Sequence, residues 1–288
     1  MSGYNSKEQQ EQVHDPLFSL GPLPIHPFGF FVALGILVGY VVAVRQVDKA
    51  GLPLKMLPGL LISVVLGGFL ASRLGFLLLH PGAVAGGLQG AFSLWQGGFS
   101  LVAGLLGGAA LLCLTIWSRR ASLLRWGDAL APAAAVGLAV GMLGLPLAGE
   151  GWGIPTSGPF AMNVDQSLRP LAFISATRFH PIYAYEAVLF AVVAIVGLML
   201  SRGRRYEDAP QEGTSSLFFI VVAMVGYAAL RPLSLDATTP ATETITQAVC
   251  IGVALAALVM LVPRLWRAHI NAEITREIEH VRQRGGVR

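Results

Sequence analysis

Four ionisable side chains interrupt otherwise apolar stretches of this 288-residue chain: Arg73, Glu150, Glu186 and Arg231. An ionised group in hydrocarbon costs about 3 kcal/mol on insertion scales, so such residues are candidates for function by default. Two cations and two anions can offset one another. Arginine forks match phosphate oxygens, and a nearby carboxylate or imidazole can take a proton from an incoming nucleophile. His26 and His180 precede two of the apolar runs and supply imidazoles for that role. The plain alternative for any one of these charges is a structural ion pair or a snorkelling helix end. Their placement along the chain favours a shared site.

That placement follows from composition. The chain is 54% hydrophobic and 12% charged, with a mean hydropathy of +0.65; soluble domains carry about 25% charged residues. Each crossing of a membrane takes about 20 apolar residues, because every backbone amide must be bonded internally there. Seven stretches qualify: 28–44, 57–79, 98–117, 129–148, 184–200, 216–230 and 245–262. The expected fold is therefore all-α, a polytopic membrane protein with seven transmembrane helices.

Orientation follows from the loops. Arg45, Lys49 and Lys55 follow the first span, Arg119, Arg120 and Arg125 the third, and Arg202, Arg204 and Arg205 the fifth, whereas 80–96 contains neither Lys nor Arg. Basic loops face the cytoplasm, which puts the N-terminus outside and the C-terminus inside. With that orientation Arg73, Glu150, Glu186 and Arg231 all lie toward the outer leaflet. Three parts are expected: a polar N-terminal segment (1–25), a seven-helix membrane domain (26–263) and a cytoplasmic tail (264–288).

The tail mixes Glu273, Glu277 and Glu279 with Arg276, Arg282 and Arg284, and spaces Ile270, Ile274, Ile278 and Val281 by three and four. It reads as an amphipathic helix resting on headgroups. Glu8, Glu11 and Asp15 before the first span argue against a cleaved signal peptide, and no nearby cysteine offers a lipidation site. The net charge of +4 is spread over loops, which reads as topology and not as nucleic-acid binding. Cys113 and Cys250 are far apart and form no CxxC, so both are expected to pack, and no metal or cofactor is expected. Gly104 and Gly108 form a small-xxx-small pair suited to helix packing. A transporter would show broken helices and polar residues at mid-membrane, and little of that pattern is present.

Taken in order, several motifs resemble those of the prolipoprotein diacylglyceryl transferase family. They are Ile25-His26-Pro27-Phe28-Gly29, Ala71-Ser72-Arg73-Leu74-Gly75, Trp95-Gln96-Gly97-Gly98-Phe99-Ser100, Gly149-Glu150-Gly151-Trp152-Gly153-Ile154-Pro155-Thr156 and His180-Pro181-Ile182-Tyr183-Ala184-Tyr185-Glu186, with Tyr227 and Arg231 at the end. The resemblance spans most of the chain. It implies an enzyme of the bacterial cytoplasmic (inner) membrane whose site faces the outer leaflet. Such an enzyme moves diacylglycerol from phosphatidylglycerol to a prolipoprotein cysteine, with no cofactor.

The resemblance implies Glu150, Arg231 and His26 as catalytic residues, and Arg73, Gly97, Gly98, Gly153, Tyr185, Glu186 and Tyr227 as substrate-binding ones. The sequence also departs from the family pattern. Val102 stands where the family has a histidine, Met142 and Leu145 replace an arginine and an asparagine, and Phe28 replaces a tyrosine. Ala148 takes the place of a second asparagine, and Leu235, beside Asp236, that of a late glutamate. These departures keep a second reading open: an inactive relative that binds phospholipid or lipoprotein without reacting.

Overall fold

The computed structural model describes residues 18–20, 23–79, 99–148, 151–169, 171–200, 212–235 and 240–285. Among them are seven helices long and apolar enough to cross a membrane. They are α1 (Pro27–Lys49), α2 (Leu57–Leu79), α3 (Leu101–Ser118), α4 (Leu123–Met142), α5 (Ile182–Leu200), α6 (Thr214–Leu230) and α7 (Pro240–Gly285). Large apolar side chains such as Leu37, Leu70, Leu78, Val188, Ile195 and Val259 are exposed along them. In water that surface would be untenable; in lipid it is the solvated face.

Local signals set the ends. Pro27 occupies the first turn of α1, where its missing N–H costs nothing. The Ser100 hydroxyl accepts from the Ala103 amide at 3.3 Å to cap α3, and the Ser122 hydroxyl caps α4 through the Arg125 amide at 3.4 Å. The Ser122 cap corrects the fourth span, which begins at Leu123 instead of 129 and stops at Met142 instead of 148. A turn at 143–145 and a short 3-10 segment, Pro146–Ala148, end it, since Pro146 cannot continue the amide ladder. A further difference lies at the C-terminus, where the expected span and tail are one uninterrupted helix of 46 residues.

Two helix pairs are drawn together by small residues. On α2 and α3, a Cβ on Gly107 would strike Ala71, and one on Gly67 would meet the Gly107 carbonyl and Leu111 at 2.8 Å. Gly104 and Gly108 of the expected packing pair face Ser72 and Gly68 of α2 in the same way. The Ser63 and Thr115 hydroxyls share a 2.8 Å hydrogen bond across that seam. On α1 and α4 the equivalent approach runs through Gly35 and Gly137. Elsewhere large side chains fill the bundle: Trp126 and Phe190 are fully buried. Cys250 is fully buried, but Cys113 is exposed, so the packing role expected of both cysteines holds for Cys250 only.

Outside the helices, β1 (Phe18–Leu20) pairs with β2 (Leu23–Ile25) just before α1, where only a polar segment was expected. Between α4 and α5, β3 (Met162–Asn163) pairs with β4 (Arg178–Phe179). The loop closed by that pair is locked by Arg169, whose guanidinium donates to the Val164 carbonyl at 2.8 and 2.9 Å and to the Ile174 carbonyl at 3.2 Å.

Candidate functional site

Because consecutive helices run in opposite directions, the start of α3 and α5 and the end of α2, α4 and α6 share one end of the bundle. Arg73, near the end of α2, is 9% exposed, with its guanidinium carbon 5.6 Å from the Phe76 ring centre and 5.7 Å from that of Phe99. Aromatic faces stabilise a desolvated cation in this way. The Ser100 amide donates to the Ser72 carbonyl at 3.0 Å, which ties the start of α3 to the Arg73 turn.

At the end of α6, Arg231 closes the helix. It is 6% exposed, and its guanidinium carbon stands 5.8 Å from the ring centre of Tyr227, one turn earlier and also buried. Glu186, in the first turns of α5, is 8% exposed. Three charges thus lie buried at one end, a costly arrangement in a low-dielectric medium.

Arg231 is held by backbone. Arg231–Leu233 form a 3-10 turn, and the Ile154 amide donates to the Leu233 carbonyl at 2.8 Å. Gly153 forms an antiparallel bridge with Ser234, and its amide donates to the His180 carbonyl at 2.8 Å. A Cβ at Gly153 would strike the Leu233 carbonyl and lie 2.9 Å from Ile182, so only glycine fits between the end of α6 and the start of α5. Residues 153–154 and 233–234 therefore form a clasp. His180 Nδ1 lies 3.2 Å from the Tyr185 hydroxyl, and both residues are half-buried. The pairing of Gly153 with Ser234 joins residues 81 positions apart and left no local pattern in the sequence.

The remaining expected site residues divide into two groups. His26 is exposed at the N-cap of α1 and makes no capping bond with its side chain. Glu150, Gly97 and Gly98 lie outside the described residues.

At the centre is an apolar cluster of Val102, Met142, Ala187, Phe190, Tyr227 and Cys250, with Leu145 packed against it. Three of the six positions where this chain departs from the family pattern, Val102, Met142 and Leu145, come from two helices and the turn after one of them, yet they meet here. Of the cluster's members, Tyr227 stands against Arg231, Ala187 follows Glu186 in the chain, and Val102 lies three residues after Phe99, the ring beside Arg73. Alongside, a groove of about 330 Å³ opens between α6 and α7, lined by Val225, Ala228, Ala229, Ile251, Ala254 and Leu258. It ends within one turn of Arg231.

Comparison with known proteins identifies the family. The profile of the family described as prolipoprotein diacylglyceryl transferase matches residues 15–263. Among similar curated proteins, each named phosphatidylglycerol–prolipoprotein diacylglyceryl transferase, one from Synechococcus elongatus is 27% identical over 236 residues, 82% of either chain. Another from Bordetella parapertussis is 31% identical over 229 residues, 77% of this chain and 81% of its own. A third, from Synechocystis, is 26% identical over 242 residues, 83% of this chain and 85% of its own.

Proposed function

The chain belongs to the prolipoprotein diacylglyceryl transferase family, and we propose that it takes phosphatidylglycerol from the outer leaflet of a bacterial cytoplasmic membrane and transfers the diacylglyceryl group to a lipoprotein cysteine. The observation that carries this reading is the buried Arg231, clasped by backbone beside Tyr227 at the same bundle end as Arg73 and Glu186. Arg231 holds the phosphate, with Arg73 as second cation. Gly153, Tyr185, Glu186 and Tyr227 shape the headgroup pocket, and Gly97 and Gly98 belong to it by position in the family motif.

In the reaction the cysteine sulfur bonds to the glycerol carbon that carries the phosphate, the carbon–oxygen bond breaks, and glycerol phosphate leaves with the electron pair. The thiol proton goes to a base, for which Glu150 and His26 are the candidates. The cations offset charge gathering on the leaving phosphate. The groove between α6 and α7 can take an acyl chain whose headgroup sits at Arg231.

A second reading, binding without transfer, has its own support in the apolar cluster. Val102, Met142 and Leu145 fill with apolar side chains the place where an imidazole, a guanidinium and an amide would serve the chemistry. Loss of one such contact costs about 3 kcal/mol of transition-state stabilisation, close to a hundredfold in rate. Complementation of a strain depleted of its own transferase separates the two. Rescue that Arg231→Ala abolishes supports transfer; failure by a well-expressed protein that still binds phosphatidylglycerol vesicles supports binding alone. A protein that does neither overturns both.

A further inference from the structure

One half-buried carboxylate has no part in this chemistry. Asp128 lies on α4, inside the fourth span and at the end of the bundle opposite Arg231. Its two oxygens accept from the Gly213 amide at 2.7 Å, the Ser216 amide at 2.8 Å and the Ser216 hydroxyl at 3.1 Å. Gly213 is the N-cap of α6, has no side chain with which to cap it, and sits at φ 94° in the left-handed region.

The first amides of a helix have no partner within it, and in hydrocarbon no water replaces one. Here α4 supplies the cap for α6, with negative charge at the positive end of the helix dipole. The fit is close. A Cβ on Gly127 would lie 3.0 Å from the Ser216 Cβ, and one on Gly213 would lie 2.8 Å from Leu124. Glu212 adds an exposed support, accepting from the Ser122 hydroxyl at 2.9 Å and standing 3.8 Å from Arg125.

We infer that Asp128 is a positioning residue for Tyr227 and Arg231, fixing the height and rotation of α6 from its far end. The inference rests on the reading of Arg231 as the phosphate-holding cation. Between Ser216 and Arg231 run 15 residues of helix, about 22 Å of a body that moves as a unit. The Gly153 clasp fixes the Arg231 end, and Asp128 fixes the other. With Asp128 gone, α6 can slide or turn against α4 until its first amides find new partners, and that displacement arrives at Arg231.

The test uses the full chain in bilayers containing phosphatidylglycerol. Spin labels at Leu143→Cys and Ala229→Cys, in a Cys113→Ser/Cys250→Ala background, report the separation of the α4 and α6 ends near the site. Asp128→Ala is expected to move or broaden that separation by about 1.5 Å, the rise of one residue, or more. Asp128→Asn, which keeps one acceptor, gives a smaller change and serves if the alanine variant does not fold.

Phosphatidylglycerol affinity is expected to fall about tenfold in Asp128→Ala, the scale of one lost helix cap. It should fall by less than about twofold when Arg231 is already alanine, because effects that pass through one residue do not add. An equal loss in both backgrounds marks general destabilisation and overturns the inference, as does an unchanged label separation. If Arg231→Ala leaves affinity intact, the headgroup reading fails instead, and the label separation alone decides the role of Asp128.

Discussion

The two halves of the bundle are held by different means. Between α2 and α3 and between α1 and α4, glycines bring backbones nearly into contact, and little side-chain volume lies between them. Around α5, α6 and α7 the space is filled by Phe190, Met224, Tyr227 and Cys250, and the buried charges Glu186 and Arg231 lie on that side. Lipid tails are as apolar as leucine, so helices in a membrane gain from close contact more than from burial. The glycine seams give a scaffold with no freedom to repack. The half packed by side chains can vary more freely, and Val102 of α3 and Met142 of α4, which depart from the family pattern, pack into it.

The sharpest way to break this contrast is to widen a seam. Gly107→Leu puts a side chain where even a Cβ strikes Ala71. It is expected to abolish folded protein, read as loss of the monodisperse peak after detergent extraction, while Val225→Leu on the exposed face of α6 leaves the peak intact. Next in size, Arg231→Ala removes a charged contact worth about 1.5–3 kcal/mol, or roughly 10- to 100-fold in phosphatidylglycerol affinity measured on vesicles. The thermal midpoint should move little by comparison.

Gly153→Ala forces the clasp away from the Leu233 carbonyl and is expected to cost about 1–3 kcal/mol of stability. It should also weaken phospholipid binding, and unchanged binding would detach the clasp from the site. Smallest is Ser63→Ala, which deletes the hydrogen bond to Thr115 across the α2–α3 seam at about 0.6 kcal/mol. A larger loss, measured by unfolding in mixed micelles, would mean that polar glue and not backbone contact holds the scaffold.

Seven spans were legible in the sequence because hydrocarbon imposes one simple demand, about 20 apolar residues at a time. Their partners were not legible. The glycines of α3 announced close packing, but nothing local said that they would meet α2. Arg73, Glu186 and Arg231 stood out as charges in apolar runs, and the structure buries all three.

Asp128 was hidden by one misplaced boundary. With the fourth span started at 129, it fell one residue outside, although the same rule on intramembrane charges applies to it once Ser122 is seen as the cap. The docking of Gly153 on Ser234 had no comparable signal, since a two-residue bridge depends on the whole bundle to bring its halves together.

The uninterrupted course of α7 has a mechanical consequence. At about 1.5 Å per residue its 46 residues make a rod of roughly 69 Å, more than twice the hydrocarbon thickness. Cys250, in the wall beside Tyr227, and Ile274, beyond the lipid, ride on the same shaft. Its one soft point is Pro263, which leaves the Val259 carbonyl without its usual amide donor. A grip on the protruding stalk, by an antibody fragment or a fused domain, therefore applies torque to the packing around Tyr227 unless Pro263 absorbs it.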